Sequence, residues 1–292
     1  MGLFDFFSKK TPAPQPAASG NKLLDMIEVK PGIRIARAFA GEWPAFEATG
    51  KNYVSMEAVP VESVKLDQSK FGHYPKMPVD AEYPTGSDGS YLYPLAQINC
   101  KEMPALAGYP ESGFLQFYIS GTDDAYGLDF DDYSSQRDFR VLYFEEHEVA
   151  QHKTDFSFLQ EIMTSENLPV YKPHALHFSP VKEEYFGMGD VHYEAIMGKL
   201  VEAICSKHPE IEDELMESLY DTHSANGHKM GGYAYFTQTD PRAGDDTSVL
   251  LLQIDSDKEI MWGDAGVANF FITPEDLAKK DFSKVMYNWD CS

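Results

Sequence analysis

The chain has 292 residues, 43% of them hydrophobic and 13% aromatic, and a formal net charge of -23. That is apolar material for a sizeable core, yet no run approaches the ~18 apolar residues of a membrane-spanning helix. So acidic a balance, with no Lys/Arg stripe to offset it, argues against nucleic-acid binding and against electrostatic attraction to anionic lipid; basic protein partners stay open.

Residues 1–22 read as a disordered peptide and linker. Leu3, Phe4, Phe6 and Phe7 form an apolar cluster ahead of Lys9 and Lys10, and a Pro/Ala/Ser-rich stretch runs on to Gly20. The cluster is either a frayed terminus or a tethered peptide that docks on a membrane or a partner groove. Myristoylation does not fit, because Phe6 stands where Ser or Thr is needed. Residues 23–292 read as a single domain.

Strand-like segments begin at Ile33, with IRIARAFA and then YVSMEAVPV, separated by Trp43-Pro44 and Thr49-Gly50. YLYPLAQI, GFLQFYI, FRVLYFEE, GYAYFTQ, SVLLLQI and GVANFFI follow, each combining aromatic or branched residues with turn-rich flanks. Helical periodicity falls in the second half. Tyr193, Ile196, Met197, Leu200, Val201 and Ile204 mark one helix face, and Pro209 opens a second helix with Ile211, Leu215 and Leu219 inward. Thr273-Pro274-Glu275-Asp276 is a helix start: hydroxyl cap, Pro at the first position, acids in the first turn. Cys100, Cys205 and Cys291 are odd in number and form no CxxC pair. Together with the lack of a signal-peptide pattern, they predict a reduced, cytoplasmic protein.

Three blocks recur in order. Lys70–Tyr74 aligns with Lys229–Tyr233, Leu95–Asn99 with Leu251–Asp255, and Tyr109–Ile119 with Trp262–Ile272. The pattern predicts an internal duplication, with repeats at about 69–119 and 228–272. The fold class expected is α+β: mixed, mostly antiparallel sheets built from two duplicated β-rich copies around one continuous core, with an inserted helical pair. Gly113 and Gly266 precede strands where positive φ or close backbone approach is needed. Alternation then places Leu115, Phe117 and Ile119, and likewise Ala268, Phe270 and Ile272, on one face, with Gln116 and Asn269 on the other. Gln97 and Gln253, within apolar strands, need partners. Such amides either tie backbone together or line a ligand cleft between the copies.

These residues carry a resemblance. Ser69–Gly72, Pro94–Asn99, Glu111–Phe117, Lys229–Tyr233, Leu250–Asp255, Trp262–Gly266 and the tail Asn288–Cys291 resemble motifs of the YwqG-like family. The likeness spans roughly residues 30 to 292 and departs locally at His73, Lys76 and Ala234. It implies a bacterial α+β domain with no established activity, and so no catalytic residue to carry over.

No GxSxG, Walker, GxGxxG or HExxH pattern occurs. His174 and His177, with His223 and His228 later, lack companion ligands at zinc spacing. Asp123, Asp124, Asp129, Asp131, Asp132 and Asp138 lack the EF-hand spacing and read as a solvated acidic loop. Glu145, Glu146 and Glu148 with His147 and His152 form no acid/base set by spacing, since neighbours on a strand face opposite ways. No cofactor and no metal site is expected.

The reading favoured is a protein-interaction module open to a basic partner. The alternative is a small-ligand binder or enzyme with a cleft between the repeats, using Gln97, Asn99, Gln253, Asp255, Trp262 or Asp264. A metal-dependent hydrolase is a weaker alternative, and the oligomeric state stays open.

Overall fold

A computed structural model describes residues 21–165 and 167–292. The apolar N-terminal cluster and nearly all of the linker expected at residues 1–22 lie outside the described residues. Among those described, no helix is long and apolar enough to cross a membrane.

The chain opens with a hairpin, β1 (Met26–Lys30) and β2 (Ile33–Ala36), followed by the short helix α1 (Trp43–Glu47). The strands β3 (Lys51–Pro60), β4 (Lys70–Phe71), β5 (Tyr93–Asn99), β6 (Phe114–Ile119) and β7 (Phe139–Phe144) come next. A helical turn α2 (Gln160–Met163) leads to β8 (His174–Phe178) and β9 (Lys182–Glu184). The helical pair is α3 (Lys199–Cys205) and α4 (Glu212–His223). Then come β10 (Lys229–Gly231), β11 (Val249–Asp255), β12 (Val267–Ile272), α5 (Pro274–Lys279) and β13 (Met286–Asp290).

Eleven strands form one sheet in the order β13-β12-β11-β10-β3-β8-β4-β5-β6-β7, with β9 also on β3. Every ladder among the described residues is antiparallel. The fold is therefore α+β and mostly antiparallel. The sheet curls towards a barrel, because its far ends meet across the core. Phe139 of β7 and Tyr287 of β13 have ring centroids 5.1 Å apart, and Phe117 of β6 and Phe270 of β12 are 4.9 Å apart.

The inward faces follow the alternation expected. Leu115, Phe117, Ile119, Ala268, Phe270 and Ile272 share the main core with Leu95, Ile98, Leu251 and Ile254. Gly113 adopts φ +85°. Gly266 meets the other condition: a Cβ there would lie 2.0 Å from the Asp290 carbonyl oxygen, closer than any side chain permits. A separate apolar cluster joins Ile35, Phe39 and Phe46 to the helical pair.

In the helical pair the second helix keeps its expected face, with Ile211, Leu215 and Leu219 buried. The first begins as a π-turn over Glu194–Gly198. A π-turn winds wider than an α-turn and shifts the register. Met197, Val201, Ile204 and Cys205 are buried while Ile196, expected on the inner face, is 55% exposed. Thr273 caps α5 as expected, its hydroxyl accepting from the Asp276 N–H at 3.1 Å.

The segment GYAYFTQ, expected as a strand, is not one. Its backbone lies across the outer face of the sheet, and side-chain amides take the hydrogen bonds that a neighbouring strand would otherwise take.

Candidate functional site

Two rows of polar residues run across the outer face of the sheet. In the first half Lys70 pairs with Gln97, and Gln97 with Gln116. In the second half Lys229 pairs with Gln253, Gln253 with Asn269, and Asn269 with Asn288. The strands hold these side chains under covering segments. Gln97 Oε1 accepts from the Lys76 N–H at 2.7 Å, and Gln116 Nε2 donates to the Lys76 carbonyl at 2.7 Å. At the matching place Gln253 Oε1 accepts from the Tyr235 N–H at 2.8 Å, and Asn269 Nδ2 donates to the Tyr235 carbonyl at 2.8 Å. A primary amide presents both a donor and an acceptor, so it can satisfy a lone backbone unit laid over a sheet.

The amides of β5 also fix a loop. Gln97 Nε2 donates to the carbonyls of Leu66 and Gln68 at 2.9 and 3.0 Å, and Asn99 Nδ2 donates to that of Asp67 at 2.9 Å. Glu102 Oε2 accepts from the Ser69 N–H at 2.8 Å. The loop of residues 65–68 thus held forms one wall of a groove of about 560 Å³, facing Glu102, Pro104 and the Leu176–Phe178 stretch of β8. Leu176, Phe178 and Pro104 supply an apolar strip. Lys65, Asp67, Glu102 and the exposed His177 supply charge and polarity.

Lys70 lies behind this wall, fully buried, its Nζ donating to the carbonyls of Lys65 and Leu66 at 3.0 and 2.9 Å. Burial lowers its ammonium to about 7, against the opposing pull of Asp67 and Glu102. Lys229, its counterpart, is equally buried but is met by the Glu184 carboxylate at 2.8 and 3.0 Å. Burial lowers its pKa too, with Glu184 opposing. Glu184 also accepts from the Tyr233 N–H at 2.6 Å. Next to this pair, Arg242 joins the buried carboxylates of Asp190 and Asp240 at 2.9 and 2.6 Å. Lys51 sits 3.9 Å above the Tyr233 ring centroid. These charges are matched to one another and tie the segment at Asp190, ahead of the helical pair, to Lys51 of β3 and to the Asp240–Arg242 loop.

The six residues singled out from the sequence are not gathered into one cleft. Gln97 and Asn99 on β5 are separated across the sheet from Gln253 and Asp255 on β11 by β4, β8, β3 and β10. Asp255 accepts from the Gly227 N–H at 2.6 Å, and burial raises its carboxyl above the ordinary value. Trp262 is fully buried among Tyr126 and Trp289, and its indole N–H has no partner among the described residues. Asp264 is exposed, and its carbonyl accepts from Ser292. Gln97 and Asn99 do meet the groove, from behind, as supports of its wall.

The histidines are dispersed. His174 is buried while His177 is exposed on the groove. His223 packs on Phe186 in the helical cluster, and His228 bonds Asp257 at 3.1 Å. Among the described residues no group of three or more His, Cys, Asp or Glu is placed to hold a metal ion. Four acids of the 123–138 loop are engaged: Asp123 by the Ala125 N–H, Asp129 by Arg137, Asp132 by the Ser134 N–H and Asp138 by Ser87. Glu145 and Glu146 pair with Lys280 and Lys101. Of the groove residues only His177 stands out in the sequence, beside His174; Lys65, Asp67, Glu102 and Phe178 carry no sequence pattern of their own. The clue to them is indirect: polar Gln97 and Asn99 within an apolar strand imply a backbone segment to be held.

No curated protein matches the sequence. The model of the family described as Domain of unknown function (DUF1963) matches residues 69–291, taking in the sheet from β4 onwards and both amide rows but not the groove-wall residues Lys65, Asp67 and Gln68, and the chain belongs to that family.

Proposed function

We propose that the chain is a binding module whose groove takes a basic segment of a partner protein. The observation that carries this is the acid on both sides of the groove: Asp67, on a loop that the Gln97 and Asn99 amides hold in place, and Glu102, in the turn after β5, stand beside an apolar strip. Preorganised acid next to Leu176 and Phe178 suits a Lys or Arg stem that buries its methylenes and pairs its head. The net charge of -23 adds long-range attraction for such a partner. The groove volume also lies in the range of small-molecule sites, roughly 300–1,000 Å³, so a small cationic ligand is the second reading.

The test is titration of a panel of Lys/Arg-bearing peptides into the full chain at two salt concentrations. Binding that weakens about tenfold in Asp67→Asn and in Glu102→Gln, and weakens with salt, supports the reading. Equal affinity in both variants sinks it. Glu102→Gln keeps an acceptor for the Ser69 N–H, so the loop stays tied.

Three further readings accompany this one. Within the family we place the chain with the YwqG-like members, on the motifs at Ser69–Gly72, Pro94–Asn99 and Lys229–Tyr233. The two halves derive from an internal duplication, supported by register shifts at matching places, Pro94/Ala96 and Leu250/Leu252. A cytoplasmic location is supported by the unbonded thiols of Cys100, Cys205 and Cys291.

A further inference from the structure

We propose that Lys70 makes the groove wall releasable by acid: a proton on its amine favours the state in which loop 65–68 lifts from the sheet, and loss of that proton favours the closed wall. This regulation rests on the groove being the binding site, whereas the movement of the loop does not.

The argument begins with what Lys70 touches. Its ammonium has no solvent exposure, and its hydrogen bonds go to the Lys65 and Leu66 carbonyls, both on the loop. The strand neighbours on either side are Gln97 and Ala175, both uncharged. Charge reaches the amine from Asp67 on the loop and from Glu102 in the turn after β5. His73, in the turn after β4, feels Lys70 as a like charge that works against its protonation, and Lys65 lines the groove. No carboxylate bonds the amine, in contrast to Lys229 and Glu184. A buried cation with carbonyl partners alone gains most by reaching water, and the element between it and water is the loop.

Linkage sets the sign. In the closed state the amine titrates at about 7, and in the lifted state it returns towards 10.5. Across that window the open state binds more protons, so falling pH favours opening by about tenfold per unit and levels off below 7. The loop's other ties do not compete over this range where they are neutral amides, from Gln97 and Asn99.

The experiment is amide hydrogen exchange on the full chain without any ligand, at pH 7, 8 and 9, corrected for intrinsic rates. The probes are the Gln68 N–H, bonded to the Lys65 carbonyl, and the Ser69 N–H, bonded to Glu102. The expected opening constant falls about 50-fold from pH 7 to pH 9, and Lys70→Met removes the dependence. Opening that is independent of pH in the unmodified chain overturns the proposal. Should Lys70→Met fail to fold, carbon NMR of the Lys70 Cε in the unmodified chain decides. A midpoint near 7 supports the proposal, and one above 10 refutes it. A groove that binds no peptide would leave the exchange result standing, so the two readings fail separately.

Discussion

The Lys229–Glu184 pair allows a calculation with a distinctive pH signature. Glu184→Gln keeps an acceptor for the Tyr233 N–H but removes the charge that faces a buried ammonium. Breaking a buried ion pair from one side costs about 3–5 kcal/mol. Lys229 can escape by shedding its proton, and the cost of doing so caps the damage. From an unfolded value of 10.5, that cap is about 5 kcal/mol at pH 7 and about 2 kcal/mol at pH 9, at 1.36 kcal/mol per unit. In the variant the unfolded chain binds a proton at Lys229 that the folded chain lacks, so stability rises with pH. Urea unfolding should therefore show Glu184→Gln destabilised by about 3–5 kcal/mol at pH 7 and by no more than about 2 kcal/mol at pH 9. Glu184→Ala should lose a further ~1–2 kcal/mol by orphaning the Tyr233 N–H, and adding Lys229→Met to Glu184→Gln should recover most of the loss. A Glu184→Gln chain within about 1 kcal/mol of the parent at pH 7, or one equally damaged at both pH values, would refute the reasoning.

His223, packed 4.3 Å from the Phe186 ring centroid, is pushed by burial from 6.5 to about 4. Between those values the unfolded chain gains a proton that the folded chain refuses, so stability should drop by about 3 kcal/mol as pH falls from 6.5 to 4, and His223→Leu should flatten that part of the curve. Thr273→Ala should cost about 1 kcal/mol in urea unfolding through loss of the cap on the Asp276 N–H, while Thr273→Ser should leave stability near that of the parent.

Much of the sheet was legible because its strands alternate. Leu115, Phe117 and Ile119 announce a buried face by period alone, and the second helix announces Ile211, Leu215 and Leu219 in the same way. Two misreadings have definite causes. The aromatic run from Gly232 to Gln238 has strand composition, but its Tyr235 backbone is satisfied by Gln253 and Asn269 side chains, and composition cannot tell which partner a backbone finds. Ile196 was placed inward on an α-helical period that the π-turn does not keep. His174–Phe178 carries two histidines in five residues and so gave little strand signal, yet it sits at the centre of the sheet. The groove was hidden for a related reason. Its walls come from a loop, a turn and that same strand, which only the pairing of β8 with β4 brings together.

The central position of β3 has a consequence for synthesis. Its neighbours β8, β9 and β10 are all made far later in the chain, so β3 leaves the ribosome with both edges bare. A chain stopped after β8 would close one edge and leave Tyr53, Val54 and Ser55 without β10. Open strand edges recruit other strands, so such fragments should associate with one another through the bare edge of β3. The order of strands in this sheet therefore makes nascent and truncated forms dependent on protection until the last third of the sequence has emerged.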